Sequence, residues 1–123
     1  MDLIIGGAYQ GKLDYAVSTY GFNKDDIHTC SDDIVFARCV DHLERWTLAC
    51  VRRGEDPIER FAADPSAWSG CVIICEDISC GVVPTDADMR SWREANGRLL
   101  NWLSLRADSV TRLFCGIPQR LRR

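Results

Sequence analysis

This sequence predicts an α/β fold, with a mainly parallel sheet flanked by helices in a single compact domain spanning residues 1–123. Three observations predict it. Short apolar runs, "LII", "CVIIC" and "SVTRLFC", read as strands of a buried sheet. Segments with helical apolar spacing separate them, and parallel neighbours need such crossovers. A glycine-rich turn carrying a lysine joins the first apolar run to the first helical one. That is the strand–turn–helix context of a phosphate-binding loop, the reading behind a P-loop-type sheet; a tight strand-to-helix turn with a solvated lysine is the plainer alternative.

The elements follow in order. Leu3, Ile4 and Ile5 form a buried strand that ends in Gly6 and Gly7. Lys12 to Tyr20 reads as a helix stopped by Gly21, and "DIHTC", residues 26–30, as a second strand. From Asp32 onward Phe36, Cys39, Val40, Leu43, Trp46, Cys50 and Val51 recur at helical spacing, which predicts one long helix ended by Gly54. His42 falls inside that helix. "DPIE" opens the next helix, with Asp56 as cap, Pro57 in the first turn and Glu59 completing a box-like pair. Residues 71–75, "CVIIC", give the clearest strand, and a polar, glycine-bearing loop follows. Thr85 is then expected to cap a long helix in which Met89, Trp92, Leu99 and Leu103 share a face. Residues 109–115 form the last strand, closed by Gly116 and Pro118.

Composition narrows the partners. Apolar residues make up 46% and charged residues 27%, an ordinary globular balance. A net charge of −3 argues against nucleic-acid binding by bulk charge, and the closing "RLRR" reads as a solvated tail. The seven cysteines are dispersed, with no CxxC pair and no zinc spacing, and several sit in apolar runs. They are expected to be reduced, buried thiols in a cytoplasmic protein. The start, "MDLIIGG", has the character of no signal peptide, and no run approaches the ~20 apolar residues that span a bilayer. Tryptophan-bearing helices offer a surface for assembly into a homo-oligomer.

The chemistry concentrates in two loops. Gly6, Gly7, Ala8, Tyr9, Gln10, Gly11, Lys12 and Leu13 make the candidate nucleotide-binding loop. Its glycines let backbone N–H groups turn toward phosphate oxygens, and the helix start adds partial positive charge. Lys12 is positioned to reach the outer phosphates of GTP or ATP. Leu13 stands where such loops carry the Ser or Thr that ligates magnesium, and water can take that place because magnesium keeps several waters. Open sheets bind ligands beyond the carboxyl ends of their strands, so the loop after "CVIIC" should share the edge of the first loop. It begins with Glu76 and Asp77. Asp77 is a candidate catalytic and Mg²⁺-binding carboxylate; a solvent-exposed loop acid is the plainer alternative. Arg90, Arg93 and Arg98 lie on the long helix with Glu94. A solvated, ion-paired face accounts for them, and contact with phosphate or substrate is the functional alternative.

The stretch from Cys71 to Leu121 resembles the C-terminal half of the adenosylcobinamide kinase / adenosylcobinamide-phosphate guanylyltransferase family of cobalamin biosynthesis. The matching residues are Gly81 to Pro84, "GVVP"; Arg90, Arg93, Glu94, Gly97 and Arg98 on the helix; Ala107, Asp108 and Val110; and Gly116 to Pro118, "GIP". The opening "GGAYQGK" is similar to the same family's first loop. The resemblance implies a P-loop fold, GTP or ATP as substrate, and a corrinoid partner, cobinamide. It implies a kinase and a nucleotidyltransferase activity, phosphorylation of a cobinamide hydroxyl followed by transfer of GMP to that phosphate. The family's Glu before the "GVVP"-like segment falls at Asp77. Neither His28 nor His42 sits in the basic context of the family's guanylyl-accepting histidine, so no covalent GMP–protein intermediate is expected. Two readings follow. One is a transferase using Lys12 and Asp77; the other is a degenerate homologue that binds nucleotide or corrinoid without turnover.

Overall fold

Leu3, Ile4 and Ile5 lie on strand β1 (Asp2–Gly6), and its place in the sheet explains their apolar run. In the computed structural model, which describes residues 1–8, 10–78 and 86–122, β1 has a parallel neighbour on each side. These are β4 (Val72–Glu76) and β5 (Ser109–Phe114). Ile4 pairs with Ile74 on one side and Thr111 on the other. Beyond β4 lie β3 (Cys39–Asp41) and β2 (Ile27–Thr29), also parallel. Beyond β5 lies the antiparallel β6 (Ile117–Arg122), giving the order β2-β3-β4-β1-β5-β6. The chain is thus a mixed α/β domain on one mostly parallel six-stranded sheet, as expected.

Both faces of the sheet are covered, and the period of two sorts the strands between them. Ile4, Val72, Ile74 and Leu113 pack with Ala16 of α1 (Lys12–Tyr20). Leu3, Val40, Ile73, Cys75 and Val110 pack on the other face. There they meet α2 (Leu43–Arg52), α3 (Pro57–Ala63) and α5 (Ala87–Arg106). The short α4 (Pro65–Trp68) adds Trp68 to a run of rings. Phe61 stands edge-on to Phe36, Trp46 and Trp68, with centroids 5.3–5.7 Å apart, and Trp68 meets Trp102 at 5.8 Å. Trp46 and Trp68 are buried in this core, Trp102 is half-buried against it, and Trp92 is half-buried where α5 meets α2.

Several local expectations are met to the residue. The first helix runs Lys12–Tyr20 and ends at Gly21, whose φ of 72° is the left-handed cap that glycine tolerates best. Asp56 caps α3 through the Ile58 N–H at 3.0 Å. Cys30, Cys39, Cys50, Cys71, Cys75 and Cys115 are free thiols, all but Cys115 buried.

Three expectations need correction. The predicted helix from Asp32 does not begin until Leu43; Cys39 and Val40 belong to β3 instead. The cap of α5 is Asp86, which accepts from the Asp88 and Met89 N–H groups at 2.8 and 3.2 Å. Thr85, the expected cap, lies outside the described residues, as do Tyr9 and the "GVVP" segment 81–84. The basic end is exposed to solvent as expected, but as far as Arg122 it is a strand, with Arg120 and Arg122 paired in β6. Pro118 sits within that strand rather than closing the one before it.

Candidate functional site

The carboxyl ends of the parallel strands meet on one edge, and that edge gathers the candidate chemistry. Gly6 ends β1 and the Asp77 N–H donates to its carbonyl at 2.7 Å, so the first loop and the loop after β4 share the edge as expected. A Cβ on Gly6 would sit 2.7 Å from the Leu113 carbonyl oxygen, so only glycine fits this strand pair without a shift. Gly11 has a φ of 79° and leads directly into α1. No side chain caps α1, which leaves its first-turn N–H groups to other acceptors.

Within this glycine loop the Lys12 ammonium donates to the Gly7 carbonyl at 2.6 Å. Ala8 is exposed. The Gln10 side-chain oxygen accepts from the Cys115 N–H, which ties the loop to the β5–β6 turn. Leu13 turns into the apolar cluster around Ile4, Ala16 and Ile74, so it is a packing residue. Lys12 also lies within electrostatic reach of Asp41 at the end of β3.

Asp41, His42 and Glu44 are the part of this edge that sequence spacing placed inside a helix. They stand at the β3–α2 junction. Asp41 and Glu44 are only 5% and 4% exposed. Burial pushes the Asp41 carboxyl up, opposed by the neighbouring His42 and its N–H. His42 holds a φ of 58° with no glycine to ease it, and its side chain makes no helix cap. Its Nδ1 meets Glu44 Oε2 at 2.8 Å, while Glu44 Oε1 accepts the Glu76 N–H at 2.8 Å. The Trp92 indole of α5 donates to the Glu44 carbonyl at 2.8 Å and locks the same turn. The pattern that could have revealed this edge is "CVDHLE". It repeats in brief the order of "CVIICED", apolar residues followed by acids.

Two cavities open near this edge. One of about 320 Å³ is lined by His42, Glu44, Arg45, Arg52, Glu76 and Trp92. The other, about 450 Å³, lies between α5 and the sheet; Ile5, Asp77, Arg93, Gly97, Leu100 and Val110 line it. It brings Asp77 and Arg93 together. Arg90 and Arg98 are exposed on other parts of the helix surface and line neither cavity. Among the described residues of the glycine loop, 6–8 and 10–13, none lines either cavity. Among the described residues, no group of three or more His, Cys, Asp or Glu is placed to hold a metal ion, and no helix is long and apolar enough to cross a membrane.

The fold and this edge define an α/β protein with a glycine–lysine loop on the carboxyl side of its central strand. No protein-family model matches the chain, and no curated protein matches it either.

Proposed function

We propose that this chain is a nucleotide-dependent transferase of P-loop type, similar to the adenosylcobinamide kinase / guanylyltransferase family, that carries the γ-phosphoryl group of GTP or ATP to a cobinamide hydroxyl. One observation carries the reading. The glycine loop leaves the central strand at the carboxyl edge and runs straight into a helix whose first turn has no side-chain cap. Backbone N–H groups and the positive end of a helix dipole there favour phosphate oxygens. Lys12, at the first position of that helix, would exchange the Gly7 carbonyl for phosphate and stabilise charge developing in transfer.

A magnesium ion would be held at this edge through one protein carboxylate and the phosphates, which is how magnesium is commonly held in phosphoryl-transfer sites. Asp77, beside Gly6, is the residue that would hold it, with water in the place of the hydroxyl that Leu13 lacks. Such an ion supplies neutralisation of phosphate charge. A second reading, binding of nucleotide or corrinoid without turnover, is favoured by the packing of Leu13 in the apolar cluster.

Titration calorimetry with GTP, ATP and cobinamide separately tests the proposal. Lys12→Ala should weaken triphosphate binding by about 1.5–3 kcal/mol, the range for hydrogen bonds to charged groups. Unchanged affinity in a folded variant removes the phosphate-loop reading. Binding without phosphoryl transfer to cobinamide selects the second reading.

A further inference from the structure

His42 occupies a position that a protein concerned only with stability would give to glycine. Its φ of 58° lies in the left-handed region, where a side chain is strained and glycine is not. Non-glycine residues in that region persist where surrounding structure over-determines them, and they cluster at functional sites. The position is also the N-cap of α2, yet the ring caps nothing. The ring instead points to Glu44, a residue only 4% exposed.

The contacts fix the ring chemically. With Glu44 ionised the carboxylate accepts, and Nδ1 is the donor in the 2.8 Å contact with Glu44 Oε2. In the neutral ring this leaves the Nε2 lone pair as the basic atom. Glu44 is itself anchored, because its other oxygen accepts the Glu76 backbone N–H. The charged groups around the ring come from several elements. Asp41 Oδ2 of β3 is 3.8 Å from Nε2. Glu76 of β4, Asp32 of the loop after β2, and Arg45 and Arg52 of α2 line the same cavity of about 320 Å³. Lys12 bears on the group through Asp41. The His42 side chain is 33% exposed, so the ring is held and yet reachable from solvent.

We propose that His42 is the general base of phosphoryl transfer, with buried Glu44 as its positioning residue. The inference rests on the transferase reading above. The acceptor hydroxyl oxygen bonds to the γ-phosphorus. The bond from that phosphorus to the β,γ-bridging oxygen breaks, and the nucleoside diphosphate leaves with the electron pair. The hydroxyl proton passes to His42 Nε2 and from there to solvent. The acceptor class is an alcohol whose hydroxyl enters the cavity between α2 and Trp92 of α5.

The test compares the parent with His42→Gly and His42→Asn, two variants that tolerate a positive φ. Both should keep the circular dichroism of the parent. Both should bind GTP within threefold of it, which separates this inference from the phosphate-loop reading. Phosphoryl transfer to cobinamide, and GTP hydrolysis with water as acceptor, should fall on the order of 10²–10⁴-fold, the usual contribution of a general base. The acid limb of the pH–rate profile should vanish. Free imidazole should restore part of the rate in His42→Gly, and restore less in His42→Gly combined with Glu44→Gln. Transfer within threefold of the parent in either variant overturns the proposal, as does a rate that imidazole leaves unchanged. A covalent GMP adduct on His42, seen by intact mass, makes it a nucleophile and overturns it too. If the parent binds GTP but transfers to neither acceptor, the base assignment falls while nucleotide binding stands.

Discussion

Asp41 shows how one buried side chain couples this edge to pH. Its carboxyl is held above the ordinary carboxylate value chiefly by burial. Between the ordinary and the raised value, the folded chain binds a proton that the unfolded chain has lost. Stability from this group is therefore complete below the ordinary carboxylate value and is lost as pH rises through the folded one. Asp41→Asn removes the titration and keeps an oxygen to accept the His42 N–H, now at 2.9 Å. The parent should lose stability relative to this variant as pH rises from the acid side toward neutral, with a flatter curve in the variant. Urea denaturation at a series of pH values reads both. Parallel curves would mean that Asp41 ionises in the fold as it does in the open chain.

At the scale of elements, the β1–β5 pair and the glycine loop are one construction. The Leu113 carbonyl lies 2.7 Å from where a Gly6 Cβ would be, and it is backbone, so it cannot turn aside as a side chain would. Gly6→Ala should destabilise the chain by about 1–3 kcal/mol, the cost of overpacking, read as a lower denaturation midpoint at constant slope. A cost under about 0.5 kcal/mol, the level of an ordinary surface substitution, would mean that the strands separate freely. The sequence makes this element legible because the glycines stop an apolar run. It makes β3 illegible for a physical reason. A central parallel strand is buried on both faces, so Cys39 and Val40 appear as consecutive apolar residues, and Phe36 and Leu43 fall by chance at helical distances from them. The hairpin to β6 is hidden differently. Its residues Ile117–Arg122 are all exposed and show no alternation, and its two-residue turn is Cys115 and Gly116 with φ of 51° and 76°. A Cys-Gly turn is a weak signal beside Asn-Gly. The candidate site divides the same way: Lys12 and Asp77 follow glycine and apolar runs, whereas His42 and Glu44 depend on a strand too short to be seen.

For the whole molecule, ligand binding and folding are one equilibrium, and that separates the roles of Leu13 and Asp77. The glycine loop is joined to the end of β4 by the Asp77–Gly6 hydrogen bond and to the β5–β6 turn by Gln10. A nucleotide that holds this loop therefore stabilises three strands together. At a free concentration of 100 times its Kd, GTP with magnesium should add about 2.7 kcal/mol to unfolding. Leu13→Ser removes apolar contact with the cluster around Ile4 and Ala16, so it should lower intrinsic stability by on the order of 1 kcal/mol with or without ligand. Its ligand increment should be kept, or grow where the new hydroxyl reaches the ion. Asp77→Asn keeps the backbone N–H bonded to Gly6 and removes the carboxylate charge. The magnesium-dependent part of the increment should shrink, read against that variant's own ligand-free stability. Denaturation of the three proteins with no ligand, with GTP and EDTA, and with GTP and magnesium separates the two effects. If the magnesium-dependent increment is the same in Asp77→Asn and the parent, Asp77 is not the metal's carboxylate. If it collapses in Leu13→Ser beyond the intrinsic loss, residue 13 shapes the loop itself and not only the core beneath it.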